Sequence, residues 1–172
     1  MASNTWISDF QWPEPEDEQD RELLNKVRIR GWTALHVEGE LGRPAYYFTT
    51  GHYLHYGQPE VLIMGAPKEV AEQLLIRVAL HMRGPFPPLE VGRKYDYFCE
   101  DLSVALLPVS IGFYNEYLGF NNWFYGSLDH VYPAVQLVWS DMEGNLPWQE
   151  GYDKRFHRLQ PLLGDESWRR LH

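Results

Sequence analysis

The sequence contains a single cysteine, Cys99, in 172 residues, which excludes an internal disulfide bond. A chain without disulfides suits a reducing compartment. The first residues, Met1 to Trp6, have no basic stretch followed by an apolar one, so we expect no signal peptide. No apolar run approaches the roughly 20 residues that a membrane-spanning helix needs. Together these absences predict a cytoplasmic protein that does not insert into membranes.

The common catalytic and nucleotide-binding motifs are also absent. The sequence has no Gly-x-Ser-x-Gly nucleophile elbow. It has neither a Gly-x-x-x-x-Gly-Lys phosphate loop nor a Gly-x-Gly-x-x-Gly dinucleotide motif. We therefore expect no cofactor, and we favour a non-catalytic role while leaving enzymatic activity open.

Positive charge is scarce, because 15 basic residues face 24 acidic ones and the net charge is −9. Such a surface repels nucleic acid and anionic membranes. Two interpretations remain: a cationic protein partner, or a charge that only keeps the protein in solution.

Hydrophobic periodicity predicts two long helices after an N-terminal arm. Residues 1–15 form the arm, and residues 16–172 form one domain. The first helix is predicted from about Glu16 to Arg30, with acidic residues at its start and basic residues at its end. The second is predicted after Pro67, with one apolar face, and ends before Gly84.

Strand signals occur between and after these helices. Strands are predicted at residues 32–37, 45–50, 61–64, 103–110 and 134–139, and residues 51–59 are predicted to be a loop or irregular turn. Aromatic residues at helical spacing predict a further helix over residues 113–125, and residues 166–172 are predicted to be a short helix. The pattern favours a single α+β domain with a largely antiparallel or mixed sheet and two to three main helices.

Several short signatures resemble those of one bacterial family. In the first half they are Tyr46-Tyr47-Phe48-Thr49-Thr50-Gly51 and Gln58-Pro59-Glu60-Val61-Leu62-Ile63-Met64-Gly65; in the second they include Trp123-Phe124-Tyr125-Gly126 and Pro133-Ala134-x-Gln136-Leu137-Val138-Trp139-x-Asp141. Their order over roughly residues 20–164 is similar to that of the domain of unknown function 4262 family. His52 and the acidic arm depart from the pattern. The resemblance implies a fold and supplies no catalytic residues.

The segment around His52, Tyr53 and His55 is the first candidate site. A three-residue gap can bring two imidazoles together on one helical turn, but zinc needs further ligands. His130 beside Asp129, or His157 near Asp153, could supply one, yet the spacing requires neither. We therefore expect no metal ion at these residues. The alternative to a metal site is that the histidines lie in a loop and form hydrogen bonds.

Aromatic residues in the last third are the second candidate site. The binding candidates there are Trp123, Tyr125, Trp139, Trp148 and the neighbouring carboxylate Asp141. Tryptophan and tyrosine serve both as core residues and as binding anchors. The cluster is therefore either an aromatic core against the sheet or the lining of a cleft or interface.

Three functional hypotheses follow from these features. The first is a non-catalytic protein-binding module, of the kind that includes immunity-type proteins neutralising bacterial toxins. The second is an enzyme or small-ligand-binding protein with a cleft lined by histidine and tyrosine. The third is a homodimer that buries exposed aromatic side chains.

Overall fold

A computed structural model of the protein describes residues 5–164 and confirms a single α+β domain. Five strands form one mixed sheet in the order β1-β2-β3-β5-β4. They are β1 (Thr33–Val37), β2 (Tyr46–Thr50), β3 (Glu60–Met64), β4 (Val104–Pro108) and β5 (Ala134–Trp139). Only β3 and β5 pair in parallel, whereas the other neighbouring strands are antiparallel.

The two long helices form where the sequence pattern predicts them. Helix α1 (Glu18–Arg30) is capped at its start by Asp17, whose side chain accepts a hydrogen bond of 2.8 Å from the backbone N–H of Asp20. It is followed by Gly31, which adopts the left-handed conformation with φ of 89° and stops the helix. Helix α3 (Lys68–Arg83) follows Pro67 and buries one apolar face.

These helices cover opposite faces of the sheet, which gives the domain two apolar layers. Leu24 and Val27 of α1 pack with Phe48 and Leu62 in the first layer. In the second layer, the buried side chains of α3 pack on the other face of the sheet; the layer includes Val61, Ile63, Leu74, Val78 and Leu137. The central strands β2, β3 and β5 are buried along their whole length because both faces are covered.

Two segments differ from the sequence-based prediction. Residues 51–59, predicted to be a loop, contain the short helix α2 (His52–Tyr56). Residues 113–125, predicted to be one helix, belong instead to a 3-10 turn (Ile111–Phe113), α4 (Tyr114–Tyr117) and α5 (Gly119–Phe124). The break lies at Leu118, whose backbone is not helical. The predicted helix over residues 166–172 lies outside the described residues.

The described part of the N-terminal arm lies against the first layer. The backbone N–H of Trp6 donates to the carbonyl of Leu54 at 2.7 Å. Phe10 packs on Phe124, and Trp12 packs on Phe124 and under the guanidinium of Arg28. Among the described residues, no helix is long and apolar enough to cross a membrane.

Candidate functional site

Glu60 is a carboxylic acid buried inside the fold, which is chemically unusual. It is the first residue of the central strand β3, and it has no exposed surface. Its side chain accepts four hydrogen bonds. Oε2 accepts one of 2.6 Å from the hydroxyl of Thr49, and Oε1 accepts from the backbone N–H groups of Gly51 and Tyr53 at 2.8 and 3.3 Å. The hydroxyl of Tyr125 also donates to Oε1. The carboxyl group therefore joins β2, α2 and the end of α5 at one buried point.

Burial dominates the titration of this group. Because water is excluded, burial raises the pKa of Glu60 from 4.5 to about 7, although its four hydrogen bonds oppose the rise. Burial and the neighbouring Glu60 also raise the pKa of Tyr125 well above its ordinary value. Perturbed pKa values are typical of active sites. However, a carboxyl group with no exposed surface cannot contact a substrate directly.

The short helix α2 depends on this carboxyl group. Gly51 and Gly57 at its two ends adopt left-handed backbone conformations, with φ of 113° and 64°. A side chain on Gly51 would meet the carbonyl of Gly31, so this close approach requires glycine. The first backbone N–H groups of a helix have no partner within the helix, and Glu60 accepts two from this turn. Glu60 thus acts as a distant cap for α2.

His52 is fully buried on α2 beside this point. Its Nδ1 donates to the carbonyl of Pro59 at 3.3 Å, because a carbonyl oxygen can only accept. Its Nε2 has no hydrogen-bond partner among the described residues. Burial lowers the pKa of His52 from 6.5 to about 4, against the effect of that hydrogen bond. At neutral pH the ring is therefore uncharged and packs against Trp32 and Tyr56.

Asn121 of α5 is a further fully buried polar residue in this region. Its Nδ2 donates to the carbonyl of Thr49 at 2.9 Å, and its Oδ1 accepts from the hydroxyl of Thr50. Both bonds connect α5 to β2. Asn121 therefore supports the same junction as Glu60 and was not among the residues proposed from the sequence.

Tyr53 connects this buried region to the surface. Its hydroxyl lies 2.7 Å from Nε2 of His130, whose Nδ1 lies 2.8 Å from Oδ1 of Asp129. Since the carboxylate accepts from Nδ1, Nε2 is left to accept the proton of the tyrosine hydroxyl. The hydrogen bond from His130 lowers the pKa of Asp129. The arrangement resembles an acid–base relay, but His130 and Asp129 are solvent-exposed.

The structure brings together only part of the proposed site. His52, Tyr53 and Tyr125 lie around Glu60. His55 is half-buried on the same helix, where its Nδ1 donates to the carbonyl of Gly31 at 2.7 Å. Trp123 is half-buried at the edge of the same layer. His52 and His55 are thus held by different carbonyl groups.

The remaining proposed residues lie elsewhere. Trp139 is in the other layer and donates through Nε1 to the carbonyl of Met64 at 2.8 Å. Asp141 accepts 2.9 Å hydrogen bonds from the backbone N–H groups of Glu143, Asn145 and Asp153, which hold a turn. Trp148 is half-buried in the segment after that turn. Asp141 thus has the structural role common for aspartate in turns.

The aromatic cluster of the last third is mainly core. Phe124, Tyr125, Tyr132 and Trp139 are each at most 5% exposed, and their rings are divided between the two layers. The described residues contain no group of three histidine, cysteine or carboxylate side chains arranged to hold a metal ion.

Comparison with known protein families gives a match. A family model described as Domain of unknown function (DUF4262) matches residues 26–153, about three quarters of the chain. No curated protein and no solved structure matches. Glu60, His52 and Asn121 lie within the matched range, whereas the acidic arm precedes it.

Proposed function

The chain belongs to the DUF4262 family, and we propose that it is a non-catalytic protein-binding module whose acidic arm contacts a cationic partner. The acidic arm is defined as residues 9–22, which join the end of the N-terminal arm to the start of α1. The observation that carries this proposal is the concentration of negative charge in one exposed, docked segment. Residues 9–22 contain seven carboxylates and a single basic residue, Arg21, and so account for −6 of the net charge of −9.

Six of the seven carboxylates of this acidic segment face solvent. Asp9, Glu14, Glu16, Asp17, Glu18 and Glu22 are all exposed. Some also have local roles: Glu18 pairs with Arg21, and Asp17 caps α1. A surface ion pair of this kind contributes little to stability, so the segment remains available for a partner.

The segment is also held in place, which favours binding. Phe10 and Trp12 fix the arm to the body, and α1 continues directly from it. A preorganised surface loses less conformational entropy on binding than a free tail does. Clustered charge accelerates association with an oppositely charged protein and makes the association sensitive to salt.

The proposed class is an immunity-type protein that neutralises a bacterial toxin in the cytoplasm. Two features support this class. Glu60 and His52, two groups whose pKa values are shifted by burial, are enclosed in the fold and serve its internal junctions. The acidic arm lies outside the range shared with the family, so it can provide specificity of this chain's own.

Removing four charges from the acidic arm is expected to weaken partner binding without unfolding the protein. The variant replaces Glu14, Glu16, Glu18 and Glu22 by glutamine. We expect the wild-type protein, tagged and purified from its native host, to recover a basic protein at low salt. We expect the variant to recover at least about tenfold less, since each lost charge removes attraction across the interface.

The matched control removes four exposed carboxylates elsewhere, at Glu69, Glu90, Glu100 and Glu143. It changes the net charge equally and should retain the partner. Recovery of no partner by the wild-type protein, or equal loss from both variants, would contradict the proposal.

The second candidate function is acid–base chemistry on a small ligand at Tyr53. The observation that favours it is the hydrogen-bonded series from Asp129 through His130 to the tyrosine hydroxyl. A histidine that accepts a hydroxyl proton can activate that hydroxyl as a nucleophile.

An activated ester tests this candidate directly. If Tyr53 is activated, p-nitrophenyl acetate should acylate it and release p-nitrophenolate in a burst. The burst should disappear in Tyr53→Phe and His130→Ala. His36→Ala is the control, because His36 is exposed and also packs on a tyrosine ring, that of Tyr47. Equal release by all variants would exclude the candidate.

A further inference from the structure

The two edge strands of the sheet differ in whether another segment covers them. The edge strand β4 is covered, since Val91 and Tyr95 form backbone bridges with Leu106 and Val104. The edge strand β1 has no backbone partner on its outer side among residues 5–164. Exposed edges are usually protected by lysine, proline or a bulge, and Thr-Ala-Leu-His-Val has none of these. Within the described part of the chain, the outer side of β1 is therefore unpaired.

The register shows which backbone groups face outward. The N–H of Gly65 donates to the carbonyl of Ala45, so the backbone N–H and C=O groups of Ala45 point toward β3. The backbone groups of every second residue after Ala45 point the same way. Phe48 therefore bonds toward β1, where its partner is Leu35. It follows that the N–H and C=O groups of Ala34 and His36 point to the open edge.

A groove of about 340 Å³ lies along the first half of this edge. Its floor includes Thr33 and Ala34, and its two walls come from the end of α1 and from α3. The α1 wall is basic, with Lys26 and Arg30. On the α3 wall, Ile76 is 51% exposed and Glu72 is the acidic lining residue. The groove thus offers free backbone groups, positive charge and apolar surface.

The other end of the same strand carries the complementary features. Glu38 and Glu40 are exposed directly after β1, and Leu41 beyond them is fully exposed. The acidic and apolar end of one strand therefore matches the basic and apolar groove at its other end. A twofold axis places two such strands antiparallel, with opposite ends adjacent.

We propose that two copies of this chain pair through β1, with the twofold axis at Leu35, to form a continuous ten-stranded sheet. In this register Ala34 and His36 exchange backbone hydrogen bonds with His36 and Ala34 of the second copy. Odd-numbered residues pair with odd-numbered residues and even-numbered with even-numbered ones. Paired side chains therefore lie on the same face of the combined sheet. Glu38 of each copy then lies opposite Trp32, beside Arg30 of the other. This surface is distinct from the acidic arm, so the inference does not depend on the proposed function.

Sedimentation of the purified full chain over micromolar concentrations tests the pairing. We expect a species of twice the mass of one chain. His36→Pro removes an outward N–H without breaking a bond inside the sheet, and it should weaken self-association at least about tenfold, because a ladder hydrogen bond is lost on each side of the axis. His36→Ala keeps the N–H and should still dimerise, which separates the backbone effect from loss of the ring.

Charge exchange makes the test specific for this register. Arg30→Glu and Glu38→Arg should each weaken the dimer, and the double variant should restore it. Retained helical circular dichroism and an unchanged thermal midpoint of the monomer would show that the variants fold. A wild-type protein that stays monomeric, or a dimer with the same dissociation constant in His36→Pro and in both charge variants, would overturn the inference.

Discussion

Replacing Glu60 by alanine is expected to lower the free energy of unfolding by on the order of 4 kcal/mol or more, because four buried donors lose their acceptor. These donors are the hydroxyls of Thr49 and Tyr125 and the N–H groups of Gly51 and Tyr53. A change of this size is a large fraction of the roughly 5–15 kcal/mol that stabilises a typical domain. Urea unfolding monitored by tryptophan fluorescence measures it.

Two control variants separate the lost acceptor from the lost charge. Glu60→Gln retains one carbonyl oxygen that can accept from some of these donors. It should lower the free energy of unfolding by about 1–2 kcal/mol at pH 5. Glu69→Ala removes an exposed carboxylate from α3 and should change stability by less than about 0.5 kcal/mol. If alanine at position 60 were tolerated as well as alanine at position 69, the carboxyl group would not hold this junction together.

The dependence of stability on pH is expected to contain two large, opposing contributions. Burial raises the pKa of Glu60 to about 7, so the folded chain retains a proton that the unfolded chain, with a pKa of 4.5, has released. The stability that Glu60 contributes is therefore present below pH 4.5 and lost as the pH rises through 7. With about 1.4 kcal/mol per pKa unit, the loss is about 3 kcal/mol.

His52 contributes in the opposite sense. Burial lowers its pKa to about 4, compared with 6.5 in the unfolded chain. Its contribution is therefore present above pH 6.5 and is lost as the pH falls toward 4. Between pH 4.5 and 6.5 the two slopes largely offset each other. Removal of one group should reveal the slope of the other.

Comparison of Glu60→Gln with the wild-type protein at pH 4.5 and 7.5 measures the contribution of Glu60. Between these two pH values, the free energy of unfolding of the variant should rise by about 3 kcal/mol relative to that of the wild-type protein. The reason is that ionisation of Glu60 destabilises the wild-type protein as the pH rises, whereas glutamine does not ionise. Glu69→Gln, which removes an exposed carboxylate of α3, is the control for a loss of charge elsewhere. A constant difference between Glu60→Gln and wild type would mean that Glu60 titrates normally in the folded protein.

The fold was predictable where local pattern and tertiary packing agree. Helices α1 and α3 have long apolar faces and clear ends, and residues 134–139 were assigned to a strand with the observed bounds. Helix α2 was missed because five residues carry too little periodicity, and because its cap comes from Glu60 rather than from a neighbouring residue. The break at Leu118 was missed because two short helices can satisfy the same aromatic spacing as one long helix.

The candidate site was predictable only in part. His52, Tyr53 and Tyr125 were proposed, and the structure places them around one buried point. Glu60, at its centre, was read only as part of a family signature. One signal was available: a carboxylate that begins the apolar strand Val-Leu-Ile-Met is unusual in a strand buried on both faces. Its partners could not be predicted, because they come from distant parts of the chain.

The most direct test of the central claim compares two variants in one binding measurement. The claim is that the buried cluster supports the fold, whereas the acidic arm binds the partner. We predict that Glu60→Gln recovers the native partner as well as the wild-type protein, and that the variant neutralised at Glu14, Glu16, Glu18 and Glu22 does not. Loss of the partner from a folded Glu60→Gln variant, together with full recovery by the arm variant, would contradict the account.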